Sequence, residues 1–139
     1  IARKGDDGFW RSDLDLLLDG PAVISFSTQR VPPMVENLLS YAGIPKEDVD
    51  YFIFHQANRM INETMRKKLG LPEEKVPSTL REFGNTSGAS LPVTVTVRLR
   101  EALTNGNQRL LLCGFGVGLS WGGAIVDIEN AIFPELIIA

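Results

Sequence analysis

Residues 87–105 read SGASLPVTVTVRLREALTN, and whether they form a strand or a helix decides what kind of sheet this chain can build. Leu91, Val93, Val95, Val97 and Leu99 alternate with Pro92, Thr94, Thr96 and Arg98, the period of a strand with one buried face. The same residues also place Leu91, Val95, Leu99, Ala102 and Leu103 on one helical face. Asn85, Thr86 and Ser87 are then candidate caps, and Gly106 is the stop. Pattern favours the strand. Length favours the helix, because strands usually run ~4–8 residues and this segment runs well past that.

The flanking segments are easier to read. Tyr51–Phe54 (YFIF) is a short apolar strand that ends at His55, the only histidine in the chain. Ala57, Ile61, Met65 and Leu69 then recur every fourth residue, which predicts a helix from about Asn58 to Leu69 with Gly70 as its stop. Further upstream, Asp19-Gly20-Pro21 suits a helix start. Val31, Met34, Val35, Leu38, Leu39 and Ala42 follow with amphipathic spacing up to Gly43. Pro32 and Pro33 predict that this helix is kinked or split. LPEEKVPSTL (71–80) reads as a turn and a short strand near 76–80. Residues 109–113 and 121–128 read as two more strands, joined by the glycine-rich GFGVGLS. Residues 1–19 read as loop, with a helical turn at Leu14–Leu18. Strands that alternate with helices predict a layered α/β fold.

The bulk properties narrow the function. A chain of 139 residues fits one domain with a real core. A net charge of −3 with scattered basic residues disfavours nucleic acid and anionic lipid as partners. A single cysteine excludes an internal disulfide, and one histidine leaves a metal site without ligands. No apolar run approaches the ~18 residues of a membrane helix. The start, IARKGDDGFW, does not read as a signal peptide, so a cytoplasmic protein is expected. A first residue other than Met suggests a fragment of a longer protein.

Three stretches carry chemistry: HQAN (55–58), GNTSGAS (84–90) and GFGVGLSWG (114–122). Taken alone, Asn85 is most simply a helix cap, and the glycines of 114–118 most simply form a tight turn. Taken together they say more. His55 and Asn85 are each expected at the C-terminal end of a strand, just before a helix, which is the edge where layered α/β folds usually bind ligands. A neutral imidazole and a carboxamide can each donate one hydrogen bond to the same carbonyl oxygen. That suits a thioester carbonyl on its way to an enolate, with neither donor ionised.

HQAN, GNTS and GFG.G.SWG, in this order and spacing, resemble the C-terminal half of a β-ketoacyl-acyl carrier protein synthase III of the thiolase-like superfamily. The likeness runs from about Leu16 to about Glu129. It implies a Cys–His–Asn triad in which His55 and Asn85 take the last two places. It implies that Asn58 contacts the pantetheine arm and that Phe115 and Gly116 form the loop beside the nucleophile. Val117 departs from the glycine usual there. The implied fold is one half of a five-layer stack, a βαβαβαββ unit here expected to lack its first strand, and it makes 87–105 a helix with Leu91, Val95 and Leu99 inward. No cofactor is implied. Coenzyme A and phosphopantetheine thioesters are the substrates, and acyl carrier protein, acyl-coenzyme A, an N-terminal half outside this chain and a second copy in a homodimer are the implied partners.

Cys113 completes a tempting set with His55 and Asn85. In the family, however, the nucleophile lies in the N-terminal half at the start of a buried helix. Cys113 instead ends the apolar run Leu110–Leu112 and reads as a buried structural thiol. The chain by itself is therefore expected to lack condensing activity. Two other readings stand beside this one: a non-catalytic partner subunit of a condensing complex, and a thiol hydrolase built on Cys113.

Overall fold

The computed structural model describes residues 2–12, 14, 19–129, 131–133 and 137. The helical turn expected at Leu14–Leu18 lies largely outside the described residues. The lead-in is not all loop: β1 (Arg3–Lys4) and β2 (Trp10–Arg11) pair as a small antiparallel hairpin separate from the main sheet.

Helix α1 (Gly20–Ala42) begins where Asp19 Oδ1 accepts a hydrogen bond from the Ala22 N–H at 2.9 Å. It ends at Gly43, whose φ of 65° is cheap only for glycine. The helix is not split at Pro32 and Pro33. Pro32 has no N–H to give the Thr28 carbonyl four residues back. Lys68 supplies the missing donor, its Nζ lying 2.9 Å from Thr28 O. The equivalent carbonyl for Pro33 belongs to Gln29, which is exposed and open to water.

Strand β3 (Tyr51–Phe54) follows a 3₁₀ turn and leads into α2 (Arg59–Lys68), which starts with Asn58 Oδ1 accepting from the Ile61 N–H at 2.9 Å. The strand expected near 76–80 does not form. Pro77 cannot donate to a ladder, and the Thr79 N–H is already committed to the side chain of Gln56 at 3.1 Å. The chain passes instead into a short helix, α3 (Leu80–Phe83). Asn85 therefore follows a helical turn and not a strand, contrary to the reading from sequence.

The deciding segment is helical: a 3₁₀ turn at Ser87–Ala89 runs into α4 (Ser90–Asn105). Leu99 is buried, and Leu91 and Val95 pack against the same cluster, so the inward face is the expected one. Strands β4 (Gln108–Gly116) and β5 (Ser120–Ile128) complete the sheet. Among the described residues its order is β3-β4-β5, with β3 parallel to β4 and β5 antiparallel to β4.

Side-chain alternation divides the core between the two faces of this sheet. Phe52, Phe54, Leu111 and Cys113 pack with Val31, Val35 and Leu39 of α1 and Ile61 and Met65 of α2. Ile53 and Leu110 pack with Leu99 and Leu103 of α4 on the other face. Phe52, Ile53 and Phe54 are wholly buried, each worth about 1.5–3 kcal/mol of apolar burial. The result is an α–β–α sandwich. Its parallel pair, β3 and β4, delivers the polar residues at one end.

Candidate active site

His55 stands one residue beyond β3. Its N–H donates to the Cys113 carbonyl at 2.8 Å, so the parallel ladder continues through it. Its own carbonyl accepts from the Ala57 N–H at 3.0 Å and from Asn62 Nδ2 at 3.2 Å. With the backbone held on both sides, the two-residue period that sends Tyr51 and Ile53 toward α4 carries the imidazole the same way. There Nδ1 lies 2.7 Å from Ser90 Oγ. The ring meets Phe115 edge-on, with centroids 5.2 Å apart and planes at 83°. Burial lowers the His55 pKa below the ordinary value, partly offset by a backbone hydrogen bond with Ser87. The imidazole is thus neutral at physiological pH.

Asn85 is placed by the turn before α4. Gly84 has φ 64° and ψ −150°, a conformation that side-chain-bearing residues avoid. Asn85 Oδ1 then accepts from the Ser87 N–H at 2.9 Å, a local turn of the kind Asn favours. Asn85 is not the cap of α4, which has no side-chain cap. The bond commits the amide oxygen and leaves the two N–H donors of Nδ2 for a ligand. Ser87 itself has φ 51°, the only non-glycine residue at positive φ among the described residues. Such a strained residue tends to occur at functional sites.

The two groups meet in one cavity of about 540 Å³. His55, Asn58, Asn85, Phe115 and Gly116 all line it, as do Ser87, Ser90 and Val117. Asn58 has a second role that the sequence did not show: its oxygen caps α2, while the residue also lines the cavity. Val117 is exposed at the rim. A second cavity of about 1070 Å³ shares Ala57, Asn58 and Asn85 with the first.

Cys113 is absent from both cavity walls and fully buried in the α1–α2 core. Burial pushes its thiol pKa up to about 12. It cannot serve as a thiolate nucleophile at neutral pH.

Four buried polar residues escaped the sequence reading. Gln56 Nε2 donates to the Phe54 carbonyl at 2.8 Å, while its Oε1 accepts from Ser78 Oγ at 2.9 Å and from the Thr79 N–H at 3.1 Å. Thr79 Oγ1 pairs with Thr94 Oγ1 at 2.8 Å, and Thr94 Oγ1 donates to the Ser90 carbonyl at 2.8 Å. Gln56, Thr79, Ser90 and Thr94 are each at most 1% exposed. Only the membership of Gln56 in HQAN and of Ser90 in GNTSGAS hinted at such a role.

An imidazole at the end of a parallel strand pair and an oriented carboxamide beside it, with the thiol buried elsewhere, put two uncharged hydrogen-bond donors on the wall of one cavity. The family model for the 3-Oxoacyl-[acyl-carrier-protein (ACP)] synthase III C terminal matches residues 39–128. The chain belongs to that family. It is 39% identical over 118 residues to the beta-ketoacyl-[acyl-carrier-protein] synthase III of Streptococcus agalactiae serotype III, covering 84% of this chain and 36% of the relative. Its fold superposes with a TM-score of 0.86 on the 3-oxoacyl-(acyl-carrier protein) synthase of Burkholderia xenovorans LB400, at 38% identity, over 91% of this chain and 36% of the other. The priming β-ketosynthase of the R1128 polyketide pathway is also similar, with a TM-score of 0.74 at 33% identity, over 85% of this chain and 35% of the other. The chain thus spans about a third of the length of the relatives it matches.

Proposed function

We propose that this chain is the C-terminal part of a condensing enzyme that joins an acyl thioester to a malonyl-type carrier-protein thioester by decarboxylative Claisen condensation, in fatty-acid or polyketide-like biosynthesis. The observation that carries the reading is the convergence of His55 and Asn85 on one cavity, with the Asn85 oxygen already committed to Ser87.

An acyl group would pass from acyl-coenzyme A to a cysteine in the part of the relatives that this chain does not cover. His55 and Asn85 would then donate to the thioester carbonyl of the malonyl extender as CO2 leaves. The charge that develops on that oxygen is met by two preorganised, uncharged donors. The resulting carbanion would attack the acyl-enzyme carbonyl, and the cysteine thiolate would depart. Asn58, Phe115 and Gly116 would hold the pantetheine arm and the wall beside the nucleophile. The enzyme would work in the cytoplasm as a homodimer, with acyl carrier protein as its partner.

The chain alone lacks the electrophile, and proximity of that kind is worth about 7–11 kcal/mol of barrier. We therefore expect no condensation when the chain is assayed with acyl-coenzyme A and malonyl-carrier protein. A non-catalytic partner subunit would have no need for two oriented donors in one cavity, and a thiol hydrolase is opposed by the buried, protonated Cys113. The test is that assay beside Cys113→Ser, with a non-hydrolysable malonyl-pantetheine analogue titrated in parallel. Turnover that depends on Cys113, or an analogue that leaves the His55 and Asn85 resonances unmoved, would overturn the reading.

A further inference from the structure

We propose that Ser90 is a positioning residue for His55: its hydroxyl donates to Nδ1 and so fixes the neutral imidazole in the tautomer that carries its proton on Nε2. The inference rests on the reading of His55 as a donor to the substrate carbonyl and names what makes the ring one.

The argument is an accounting of donors. Ser90 is 1% exposed, so water does not serve its hydroxyl. The hydroxyl has one donor and two acceptor sites, and among the described residues its hydrogen-bond partner is His55 Nδ1 at 2.7 Å. If Nδ1 held the ring proton, Ser90 Oγ would accept it and the buried hydroxyl proton would be left without an acceptor, a penalty that folded proteins avoid. If Ser90 donates, its hydroxyl proton has an acceptor and the ring proton lies on Nε2. The Ser90 carbonyl is taken by Thr94 Oγ1 at 2.8 Å. That uses the Thr94 hydroxyl proton, so Thr79 donates to Thr94 in their 2.8 Å pair. The Thr79 N–H in turn holds Gln56, the residue next to His55. Ser90 and His55 are thus the two ends of one buried hydrogen-bonded chain, and the geometry between them has little freedom.

The parallel with Asn85 is direct. The amide commits its oxygen to Ser87 and keeps its N–H groups for the ligand; the imidazole commits Nδ1 to Ser90 and keeps Nε2–H. Each donor is aimed because its acceptor end is occupied.

The chain has a single histidine, so the two ring nitrogens give unambiguous 15N resonances in the labelled protein. Above the titration midpoint, Nδ1 should resonate as an unprotonated ring nitrogen and Nε2 as a protonated one. Ser90→Ala should abolish that preference and give a mixture of tautomers, and Ser90→Thr, which keeps the hydroxyl, should retain it. A wild-type ring protonated on Nδ1, or evenly mixed, overturns the proposal. So does a Ser90→Ala ring unchanged from wild type, or a Ser90→Thr ring that loses the preference. Should Ser90→Ala fail to fold, the wild-type and Ser90→Thr spectra still decide. No substrate enters this measurement, so its failure is distinct from a failure of the condensing-enzyme reading.

Discussion

Lys68 Nζ lies 2.9 Å from the carbonyl oxygen of Thr28, the group that Pro32 leaves without a backbone donor. The last residue of α2 thereby repairs α1. Lys68→Met, which keeps the aliphatic stem, should cost about 1–2 kcal/mol in urea unfolding, because a nearly buried carbonyl loses a charged donor. The neighbouring Lys67→Met should stay within about 0.5 kcal/mol. Equal losses in the two variants would mean that Thr28 has another donor.

His55 should titrate with a midpoint below its ordinary value of 6.5, because burial opposes the imidazolium. The sign for stability follows from linkage. With the folded pKa depressed, the unfolded chain binds the proton first as pH falls. The His55 contribution is therefore whole above about 6.5 and declines as pH drops from there through the folded value. One ring in the chain makes the midpoint a single-resonance measurement. A midpoint above 6.5 would mean that the Ser87 contact outweighs burial.

Asn85→Asp separates folding from chemistry. A carboxylate can still accept from the Ser87 N–H, so the turn should hold and the melting temperature should stay close to that of wild type. The two N–H donors are gone, and a negative charge faces the place where an oxyanion would form. In an enzyme containing this chain, decarboxylation of a malonyl thioester should fall about 10²–10³-fold, the usual loss for one oxyanion donor. Undiminished decarboxylation would remove Asn85 from the mechanism.

Much of this was legible beforehand, and the misses have physical causes. β3, α2 and the β4–β5 pair follow from apolar periodicity and glycine stops. The 87–105 segment did not, because Thr94 and Thr96 obey a two-residue period while Thr94 is in fact wholly buried in a helix. Its hydroxyl is satisfied by the Ser90 carbonyl four residues back, so a polar letter hid an inward position. The false strand near 76–80 failed for the converse reason: Gln56, distant in sequence, takes the N–H that a ladder would need. His55, Asn58, Asn85, Phe115 and Gly116 were singled out by their motifs, and all five line one cavity. Ser90 was not singled out within GNTSGAS, since nothing in a single sequence tells a buried helix-start serine from an exposed one.

Cys113 should resist iodoacetamide in the native protein and react once the chain is unfolded in denaturant. Its folded pKa is raised to about 12 from an ordinary 9.0. Its stabilising contribution is therefore complete below pH 9 and is lost as pH climbs toward 12. Cys113→Ser places a hydroxyl in an apolar cluster and should cost about 1–3 kcal/mol. Rapid native labelling would show that the thiol is reachable and reopen its claim to chemistry.

The side chain of Gln56 reaches from the end of β3 to Ser78 and Thr79, seven and six residues ahead of Asn85. Motion of the site is governed by that span. The loop bearing the imidazole cannot swing outward without tearing Thr79 from its acceptor, and the Asn85 turn cannot drift without pulling on the same glutamine. Their fluctuations should be correlated, so in hydrogen exchange the amides of His55 and Thr79 belong to one cooperative opening. The distance between the two donors is then a property of the resting protein, set before any substrate arrives.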